Sequence, residues 1–355
     1  MVNTEFNSVS DLNPTIVRQG HLAEKIVIVD GQPGCGKTML SPIIAALDRV
    51  ELLSYAFEIE FICRLFHLNK MEKDAAVAMV RMLTDHKLYQ TMMGRDTNFR
   101  YSDLSSAFQS SNPWRYFTRI FQKGDMVIPG RIKKQRPILN LTTHDLLGYS
   151  VPVLEGLGER VAIIEVVRHP LYMLIQQTLN FERLFSDPRD SQIYIKHGKE
   201  QLPYFAYQWE ELFTSSNSVE KSIFSIKKST DLTEKFKIRY YEEFGNQILT
   251  VPFESFVLDP WPFMEKIESV LESTVTSLTK KIMKKQKVPR KIISAGIPLA
   301  IYKRCGWEPP EKKLTEKKEL EKRRQFAIDN GASDKAMNVL DRLCENYEKN
   351  NFNFG

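Results

Sequence analysis

A glycine-rich stretch near the amino end of the chain has residue types that bind anions. The apolar run that starts at Ile26 ends in an acid at Asp30, and the residues GQPGCGKT follow directly. This octet fits the pattern G-x-x-x-x-G-K-[ST], in which glycines let the backbone curl so that its N–H groups point at a phosphate. Lys37 would neutralise an outer phosphate or sulfonate, and the Thr38 hydroxyl would reach a phosphate oxygen or Mg²⁺. We predict a phosphate-binding loop, the alternative being a glycine turn with a chance Lys-Thr pair, and its residues are Gly31, Gln32, Pro33, Gly34, Cys35, Gly36, Lys37 and Thr38.

Strands and helices alternate along the chain that follows. Short apolar runs typical of buried strands occur in GDMVIPG, PILNLTTHD, RVAIIEVVRHP and NQILTVPFESFV, and helical spacing follows at about residues 171–185 and after the sequence DPWP. This alternation is typical of a parallel sheet with right-handed crossovers, so we predict an α/β, P-loop NTPase-like fold of three layers. Residues just beyond the carboxyl ends of such strands bind ligands, which singles out the Gly31 loop, His144, Arg168 and Glu254.

The chain divides into three predicted parts. Residues 1–24 form an extension, residues 25–300 form the main domain with a mainly helical insertion at 51–125, and residues 301–355 form a helical segment. Two helices of that last segment would meet at Asn330-Gly331, where glycine suits a helix end and Ser333 would cap the next helix. The apolar stripe of this next helix would pack on the main domain or on a second copy, which allows a homodimer.

The composition narrows the class of protein. The four cysteines show no metal-ligand spacing, which favours reduced thiols, no metal site and a cytoplasmic protein. No apolar run approaches the roughly 18 residues of a membrane span, so we expect no membrane partner. The net charge of +6 suits an acidic ligand, but the basic runs at 280–291 and 311–325 contain no aromatic residue for stacking, so we expect no nucleic-acid partner.

Two stretches resemble the sulfotransferase family. In PILNLTTHDLLGYSVPVLEGLGERVAIIEVVRHPLYMLIQQ a strand ends in Thr-His, a leucine-rich segment follows, and the next strand runs into an Arg-x-Pro helix start. The stretch VPFESFVLDPWPFMEKIESVLE is similar to a later segment of that family. The resemblance covers roughly residues 25–272. It implies a P-loop enzyme that transfers a sulfuryl group from 3′-phosphoadenosine 5′-phosphosulfate to a hydroxyl of a carbohydrate or small metabolite.

His144 and Arg168 are the candidate base and the candidate phosphate ligand. An imidazole at the carboxyl end of a strand can take the proton of an acceptor hydroxyl, and the resemblance implies this role for His144. The alternative is a histidine that caps the strand end through Asp145 or the backbone. Arg168 can hold a phosphate bidentately, and the resemblance implies the 3′-phosphate of the donor; the alternative is a surface arginine. Gln176 stands where the family has a serine that assists this arginine.

The glycine loop departs from the family pattern. When the loop is aligned on Pro33, Gly34 stands where the family has its catalytic lysine, and Lys37 stands where a nucleotide kinase has its own. We predict that Lys37 and His144 are catalytic in a sulfotransferase. The alternative is a small-molecule kinase that uses ATP and Mg²⁺, with the metal at Thr38 and at Asp145 or Glu165. A non-catalytic nucleotide-binding protein is the third interpretation.

The carboxyl-terminal half offers fewer candidates. Arg290 and Lys291 resemble an Arg-Lys-Gly element of the family without its glycine, and would reach the extra phosphate of the donor; the alternative is a plain basic loop. Trp209, Trp307 and the aromatic residues of 202–213 would shape an acceptor pocket or fill the core.

Overall fold

The computed structural model describes residues 14–185, 187, 190–309 and 315–352. Residues 1–13 of the predicted extension, and residues 310–314 and 353–355 of the predicted helical segment, lie outside this description, and so does part of the basic run at 311–325. The strands are β1 (Lys25–Asp30), β2 (Ser54–Tyr55), β3 (Ile138–Thr142), β4 (Val161–Val167), β5 (Tyr194–His197), β6 (Glu200–Pro203) and β7 (Ile248–Pro252).

The α-helices surround these strands. The first eight are α1 (Lys37–Ile44), α2 (Phe57–His67), α3 (Lys73–Met93), α4 (Pro113–Arg119), α5 (Ile128–Gln135), α6 (Val151–Leu157), α7 (Pro170–Arg183) and α8 (Glu210–Ser215). The remaining described helices are α9 (Ser218–Phe244), α10 (Phe253–Leu258), α11 (Trp261–Leu271), α12 (Ser277–Lys285), α13 (Ala300–Arg304), α14 (Glu316–Asp329) and α15 (Asp334–Asn350).

Five strands form one parallel sheet in the order β2-β3-β1-β4-β7, and β5 and β6 form a separate antiparallel pair. Strand β1 lies in the centre, paired to β3 on one side and to β4 on the other. Alternate residues of β1 face two different cores: Ile26 and Ile28 pack with α2, α3 and α6, whereas Val27 and Val29 pack with α1, α10 and α11. Because both faces of the sheet are covered by helices, its strands are almost continuously apolar. The predicted three-layer α/β fold with a central parallel sheet is confirmed.

One predicted strand is wrong, and one edge strand of the main sheet was not predicted. The stretch GDMVIPG contains a 3₁₀ turn at 125–127 and the start of α5, with Pro129 in the first helical turn. Its hydrophobic residues are not buried together, since Met126 is 94% exposed. The pattern also failed to predict the edge strand Ser54–Tyr55, because two residues are too few to show a period.

The carboxyl-terminal helices agree with the predicted pair. Helix α14 ends at Asp329, Gly331 has a φ of +79°, and the hydroxyl of Ser333 accepts the N–H of Ala336 at the start of α15. Leu340 and Leu343 on α15 pack into the cores of the main domain. None of the helices in the described part of the chain has the length and apolar character needed to cross a membrane.

Candidate functional site

The carboxyl ends of β1, β3, β4 and β7 meet at a cavity of about 860 Å³. Since all four strands are parallel, the residues that follow them lie at one edge of the sheet. Ten of the thirteen residues predicted to be catalytic or to bind the nucleotide line this cavity: Gln32, Pro33, Gly34, Gly36, Lys37, Thr38, His144, Arg168, Gln176 and Arg290. The other three, Gly31, Cys35 and Lys291, do not, Cys35 being buried and Lys291 exposed.

The glycines of the loop allow the chain to curl against its neighbours. The φ angles of Gly31, Gly34 and Gly36 are +144°, +89° and +107°, a region that other residues rarely adopt. A Cβ atom at Gly31 would lie 2.4 Å from the carbonyl oxygen of Val166, and one at Gly36 would lie 2.2 Å from the ring of Phe253. A side chain at either position would therefore displace β4 or the residue that follows β7.

Lys37 lies inside the curl of this loop. Its ammonium donates to the carbonyl oxygens of Gly31 and Gln32, at 3.1 Å in the second case, and is 3.8 Å from the Cys35 sulfur. The residue is only 6% exposed. Burial raises the pKa of the Cys35 thiol, with Lys37 opposing this shift, so the sulfur is a neutral neighbour of the ammonium. The ammonium group of Lys37 is thus held by backbone carbonyl oxygens at the amino-terminal end of α1.

Helix α7 holds the other side of the loop. The side-chain amide of Gln177 donates to the carbonyl oxygen of Pro33 at 3.2 Å. Its neighbour Gln176, the residue predicted from the sequence, lines the cavity, and its Oε1 would lie 3.4 Å from a Cβ at Gly34. The sequence alone gave no reason to choose Gln177, because its contact depends on how α7 packs on the loop.

A buried carboxylate holds His144. Both the backbone N–H of His144 and its ring atom Nδ1 contact Oε1 of Glu60, at 2.9 and 3.1 Å. Glu60 is 1% exposed, whereas the imidazole is partly exposed and lines the cavity. A donor at Nδ1 leaves Nε2 as the acceptor of a neutral imidazole. The alternative interpretation named Asp145 or the backbone as the partner of this ring, and the observed partner is Glu60 instead. Glu60 was missed because it lies 84 residues away on α2.

Two further groups fix the Glu60–His144 pair. Arg64 donates to Oε2 of Glu60 at 2.8 Å and to the backbone oxygen of His144 at 2.9 Å. The rings of Tyr55 and Phe57 lie nearly parallel to the imidazole, with centroids 5.9 and 5.5 Å away. The imidazole therefore has one orientation with respect to the cavity.

Asp145 follows His144 with a φ of +57°. Its backbone N–H donates to the carbonyl oxygen of Gly31 at 3.1 Å, and its Oδ1 accepts the hydroxyl of Ser229 at 2.5 Å. Burial raises the pKa of this carboxyl to about 6, aided by the charge of Asp30 and opposed by the Ser229 hydrogen bond and the charges of Arg64 and Lys37. Asp145 therefore places a buried carboxyl group beside the loop, next to His144 in the sequence.

An arginine pair lies on the opposite side of the loop from His144. Arg168 donates to the carbonyl oxygen of Gly34 at 3.0 Å, and Arg290 donates to that of Ala295 at 3.1 Å. Both guanidinium groups stack on the ring of Phe253, at 4.2 and 5.3 Å from its centroid. Burial and the neighbouring Arg168 lower the pKa of Arg290 to about 10. The nearest carboxylate is that of Glu254, 4.0 Å from Arg168.

Four buried polar atoms of this region have no hydrogen-bond partner in the described part of the chain. Their residues line the cavity, and the atoms are Nε of Arg168, Nε of Arg290, Oε1 of Gln286 and the hydroxyl of Tyr302. Buried polar groups are usually paired, so a cluster of unpaired donors and acceptors is typical of a place that a polar ligand fills.

The carboxyl-terminal segment adds a third arginine. Arg323 on α14 lines the cavity with its guanidinium 4.6 Å from the centroid of the Tyr172 ring, and Arg168 contacts the same ring at 4.8 Å. Arg323 also pairs with Glu319 at 2.8 Å. The alternation of Glu and Lys around Arg323 predicts a solvated helix face, so the sequence pattern offered no reason to choose Arg323 as a site residue.

Aromatic residues line a further wall of the cavity. Tyr204, Phe205 and Trp209 contribute to this wall together with Phe181 and Phe185 of α7 and the loop that follows it. Trp209 also packs in the core, so both interpretations of this residue hold. Trp307 lines the arginine side instead, and its ring N–H donates to the carbonyl oxygen of Ser294 at 3.1 Å.

One of the residues proposed to hold Mg²⁺ in the kinase interpretation lies outside the cavity. Thr38 and Asp145 line the cavity, but Glu165 does not; it accepts hydrogen bonds from Lys237 and Thr250, both at 2.7 Å. Within the described ranges no group of three or more His, Cys, Asp or Glu side chains could hold a metal ion. This does not test Mg²⁺, which often uses one or two carboxylates with phosphates and water.

Comparisons with known proteins find likeness only among solved structures. No protein-family model matches the sequence, and no curated protein matches it significantly. The structure is similar to mouse sulfotransferase SULT7A1 complexed with PAP, with 11% identity over 90% of this chain and 89% of that chain and a TM-score of 0.33.

Two further similar structures are also sulfotransferases. Sulfotransferase STF9 from Mycobacterium avium has 14% identity over 92% of this chain and 76% of that chain, with a TM-score of 0.41. The sulfotransferase domain from the curacin biosynthetic pathway has 10% identity over 90% and 97%, with a TM-score of 0.42. At such identities and TM-scores these likenesses carry no argument of their own about this chain, so its function is argued from the cavity.

Proposed function

We propose that the protein is a sulfotransferase that uses 3′-phosphoadenosine 5′-phosphosulfate and acts on a hydroxyl group of a carbohydrate or small metabolite. The observation that carries this proposal is the arginine pair beside the glycine loop. Arg168 and Arg290 are largely buried and line the cavity, and their Nε atoms have no hydrogen-bond partner among the described residues, with Nε of Arg168 4.0 Å from Glu254. A phosphate there would accept charge-assisted hydrogen bonds from both guanidinium groups.

The position of the pair favours a donor that has a second phosphate. The loop amides and Lys37 provide one anion site, which suits the 5′-phosphosulfate. Arg168 and Arg290 form another site, separated from Lys37 because Arg168 contacts the Gly34 end of the loop. ATP has its phosphates in one chain, whereas the proposed donor has a separate 3′-phosphate. Two cation sites therefore fit the proposed donor better.

The residues around His144 fit a base. In the proposed step the acceptor oxygen forms a bond to sulfur, its proton passes to Nε2 of His144, and the bond from sulfur to the bridging phosphate oxygen breaks. The product nucleotide is adenosine 3′,5′-bisphosphate. Lys37 and the loop amides would stabilise negative charge on the transferring group and on the leaving phosphate.

Glu60 is proposed as a positioning residue for this base. Its contact with Nδ1 selects the tautomer in which Nε2 is the acceptor, and its carboxylate would stabilise the imidazolium that forms. Arg64 and the backbone N–H of His144 share the same carboxylate, so the pair is held rigidly. Rigid placement of a base favours transfer because little reorganisation is needed.

One observation favours a second candidate, a kinase that uses ATP and Mg²⁺. Lys37 and Thr38 follow the P-loop pattern rather than the sulfotransferase one, and Asp145 lines the cavity near them. Against this, the kinase interpretation gives no role to Arg290.

A double-label transfer assay distinguishes the sulfotransferase from the kinase. The protein is incubated with a mixture of hydroxyl-bearing acceptors and either ³⁵S-labelled phosphoadenosine phosphosulfate with EDTA, or γ-³²P-labelled ATP with Mg²⁺. We expect ³⁵S to reach an acceptor in EDTA and to be lost in Lys37→Ala. Transfer of ³²P alone would establish the kinase, and nucleotide binding without any transfer would favour the non-catalytic interpretation.

A further inference from the structure

An exposed ridge of aromatic residues lies on the insertion, away from the residues assigned to catalysis. We call it the aromatic ridge; its members are Tyr101, Phe108, Trp114, Phe117 and Phe121. Trp114, Phe121 and Tyr101 are 70%, 78% and 74% exposed. A single exposed aromatic residue is ordinary, but a contiguous group of this size marks an interaction surface.

Ring contacts show that the ridge is continuous. Phe108 contacts Tyr101 and Phe99, with centroids 5.9 and 6.1 Å apart. Phe99 contacts Phe117 at 6.3 Å. Phe117 in turn contacts Trp114 at 5.7 Å and Phe121 at 5.9 Å. The ridge therefore runs from the segment before α4 to the segment after it.

Aliphatic side chains extend the apolar character of the same segment. Ile120 and Val127 are 49% and 42% exposed, and Met126 is almost fully exposed. Nucleic-acid surfaces combine aromatic rings with basic groups but have no use for exposed aliphatic chains. Aliphatic and aromatic side chains together suit the hydrocarbon boundary of a lipid layer.

Helix α12 places basic charge beside the ridge. Its exposed face contains Lys280, Lys281, Lys284 and Lys285, and residues 277–291 include no acid. The ion pairs between described residues involve none of these four lysines. The ammonium of Lys285 donates to the side chain of Gln109, 3.4 Å away and next to Phe108. One end of the lysine face therefore adjoins the ridge.

The ridge segment is itself basic. Residues 94–136 contain nine Lys or Arg and three Asp. The three acids are each close to a base: Asp96 to Lys87, Asp103 to Arg100, and Asp125 to Arg95, at 3.8, 3.4 and 3.9 Å. Little negative charge remains on this face to repel an acidic surface.

We propose that the aromatic ridge and the lysine face of α12 together bind the surface of a membrane that contains anionic lipids. The aromatic and aliphatic side chains would enter the headgroup boundary, and the lysines would attract the lipid phosphates and carboxylates. A surface of this kind lies on a membrane without spanning it, so it produces no apolar run of spanning length in the sequence.

Vesicle sedimentation with the full-length protein tests the proposal. The vesicles contain phosphatidylcholine alone or with about 30% phosphatidylserine, an anionic lipid. We expect the protein to bind the anionic vesicles at least about tenfold more tightly, and high salt to weaken this binding. Brominated lipids should quench its tryptophan fluorescence, and Trp114→Phe should remove most of this quenching.

Paired variants give the controls. Trp114→Ala/Phe121→Ala and Lys281→Glu/Lys284→Glu should each lower binding to anionic vesicles by about tenfold or more. Ile238→Ala/Tyr241→Ala, whose side chains are 80% and 73% exposed on α9, should leave it unchanged. Absence of binding to either vesicle overturns the proposal, as does binding that the ridge and lysine variants do not weaken. Equal competition by single-stranded RNA would assign the face to nucleic acid instead.

Discussion

The two ends of the cavity are built differently. The end that holds the arginine pair, which we call the donor side, is formed by residues directly after strands β1, β4 and β7 together with Arg290 from the segment after α12. It includes the contact of Arg168 to the backbone of Gly34. The aromatic end, which we call the acceptor side, is formed by α7, the loop after it and residues 204–209. The named members of this side are aromatic rings, so in the proposed function charge would select the donor and shape would select the acceptor.

His144 depends on both the sheet and the insertion. It belongs to the sheet through β3, but its orientation depends on Glu60 of the insertion. This difference teaches that the sheet edge places the loop, His144 and Arg168 together, while the insertion fixes how the proposed base is oriented. Variants on the two sides should consequently fail in different ways.

The largest effect is expected at His144. A general base contributes roughly a hundredfold to ten-thousandfold to the rate, so His144→Ala should lower kcat by that range. Its affinity for adenosine 3′,5′-bisphosphate should stay within about threefold, since the donor side is unchanged. The measurement is steady-state kinetics combined with calorimetric binding. His197→Ala, on the exposed β5-β6 pair, is the matched control. If His144→Ala lowers the melting temperature but preserves kcat, His144 is not the base.

Replacement of the loop lysine should have the next largest effect. Lys37→Ala removes one oriented cation from the transferring group, and the loss of such a group lowers kcat by on the order of a hundredfold. Circular dichroism should show an unchanged fold. If the variant turns over at the parental rate, Lys37 stabilises only the empty loop through the carbonyl oxygens of Gly31 and Gln32.

The positioning role of Glu60 predicts a smaller effect with a distinct pattern. Glu60→Gln keeps the shape but loses the carboxylate, so kcat should fall by about tenfold to a hundredfold, as for other groups that orient a reacting side chain. The KM for the donor should not change. The matched control is Glu58→Gln, an exposed position on the same helix. Equal loss of kcat and of folded protein would instead indicate a structural role.

The smallest effect concerns stability and the pKa of Asp145. Because its folded-state pKa is raised to about 6 from 3.8, the charged form is disfavoured in the folded protein. Its contribution to the free energy of unfolding is therefore present at low pH and is lost as pH rises from about 4 through about 6. Asparagine tolerates the positive φ of this position. The free energy of unfolding of Asp145→Asn, relative to that of the parent protein, should therefore rise by up to about 2 kcal/mol between pH 4 and pH 7. Urea unfolding at several pH values measures this difference, and a difference independent of pH would contradict the raised pKa.

The groups that could be predicted from the sequence share one property: each lies in a local pattern. Lys37 follows a strand in a glycine loop, while His144 and Arg168 follow buried apolar runs, so the parallel sheet brings them together. Glu60 and Arg323 have no such pattern. Their roles depend on how α2 and α14 pack, and those contacts join residues far apart in the chain.

Short or exposed elements were the other source of error. The stretch around Met126 has strand-forming residues but lies on the surface, where packing does not enforce a strand. The aromatic ridge was missed for a related reason: its residues are dispersed over 101–121, and only ring contacts between folded segments make them one surface.

The most direct test of the account measures which nucleotide the donor side binds. Isothermal titration should show that adenosine 3′,5′-bisphosphate binds without metal and at least about tenfold more tightly than AMP or Mg·ATP, since the separate phosphate gains charge-assisted contacts. Arg168→Ala and Arg290→Ala should each remove this preference, and Lys291→Ala, whose side chain lies outside the cavity, should retain it. Tighter binding of Mg·ATP, or a bisphosphate preference that survives both arginine variants, would contradict the proposed donor.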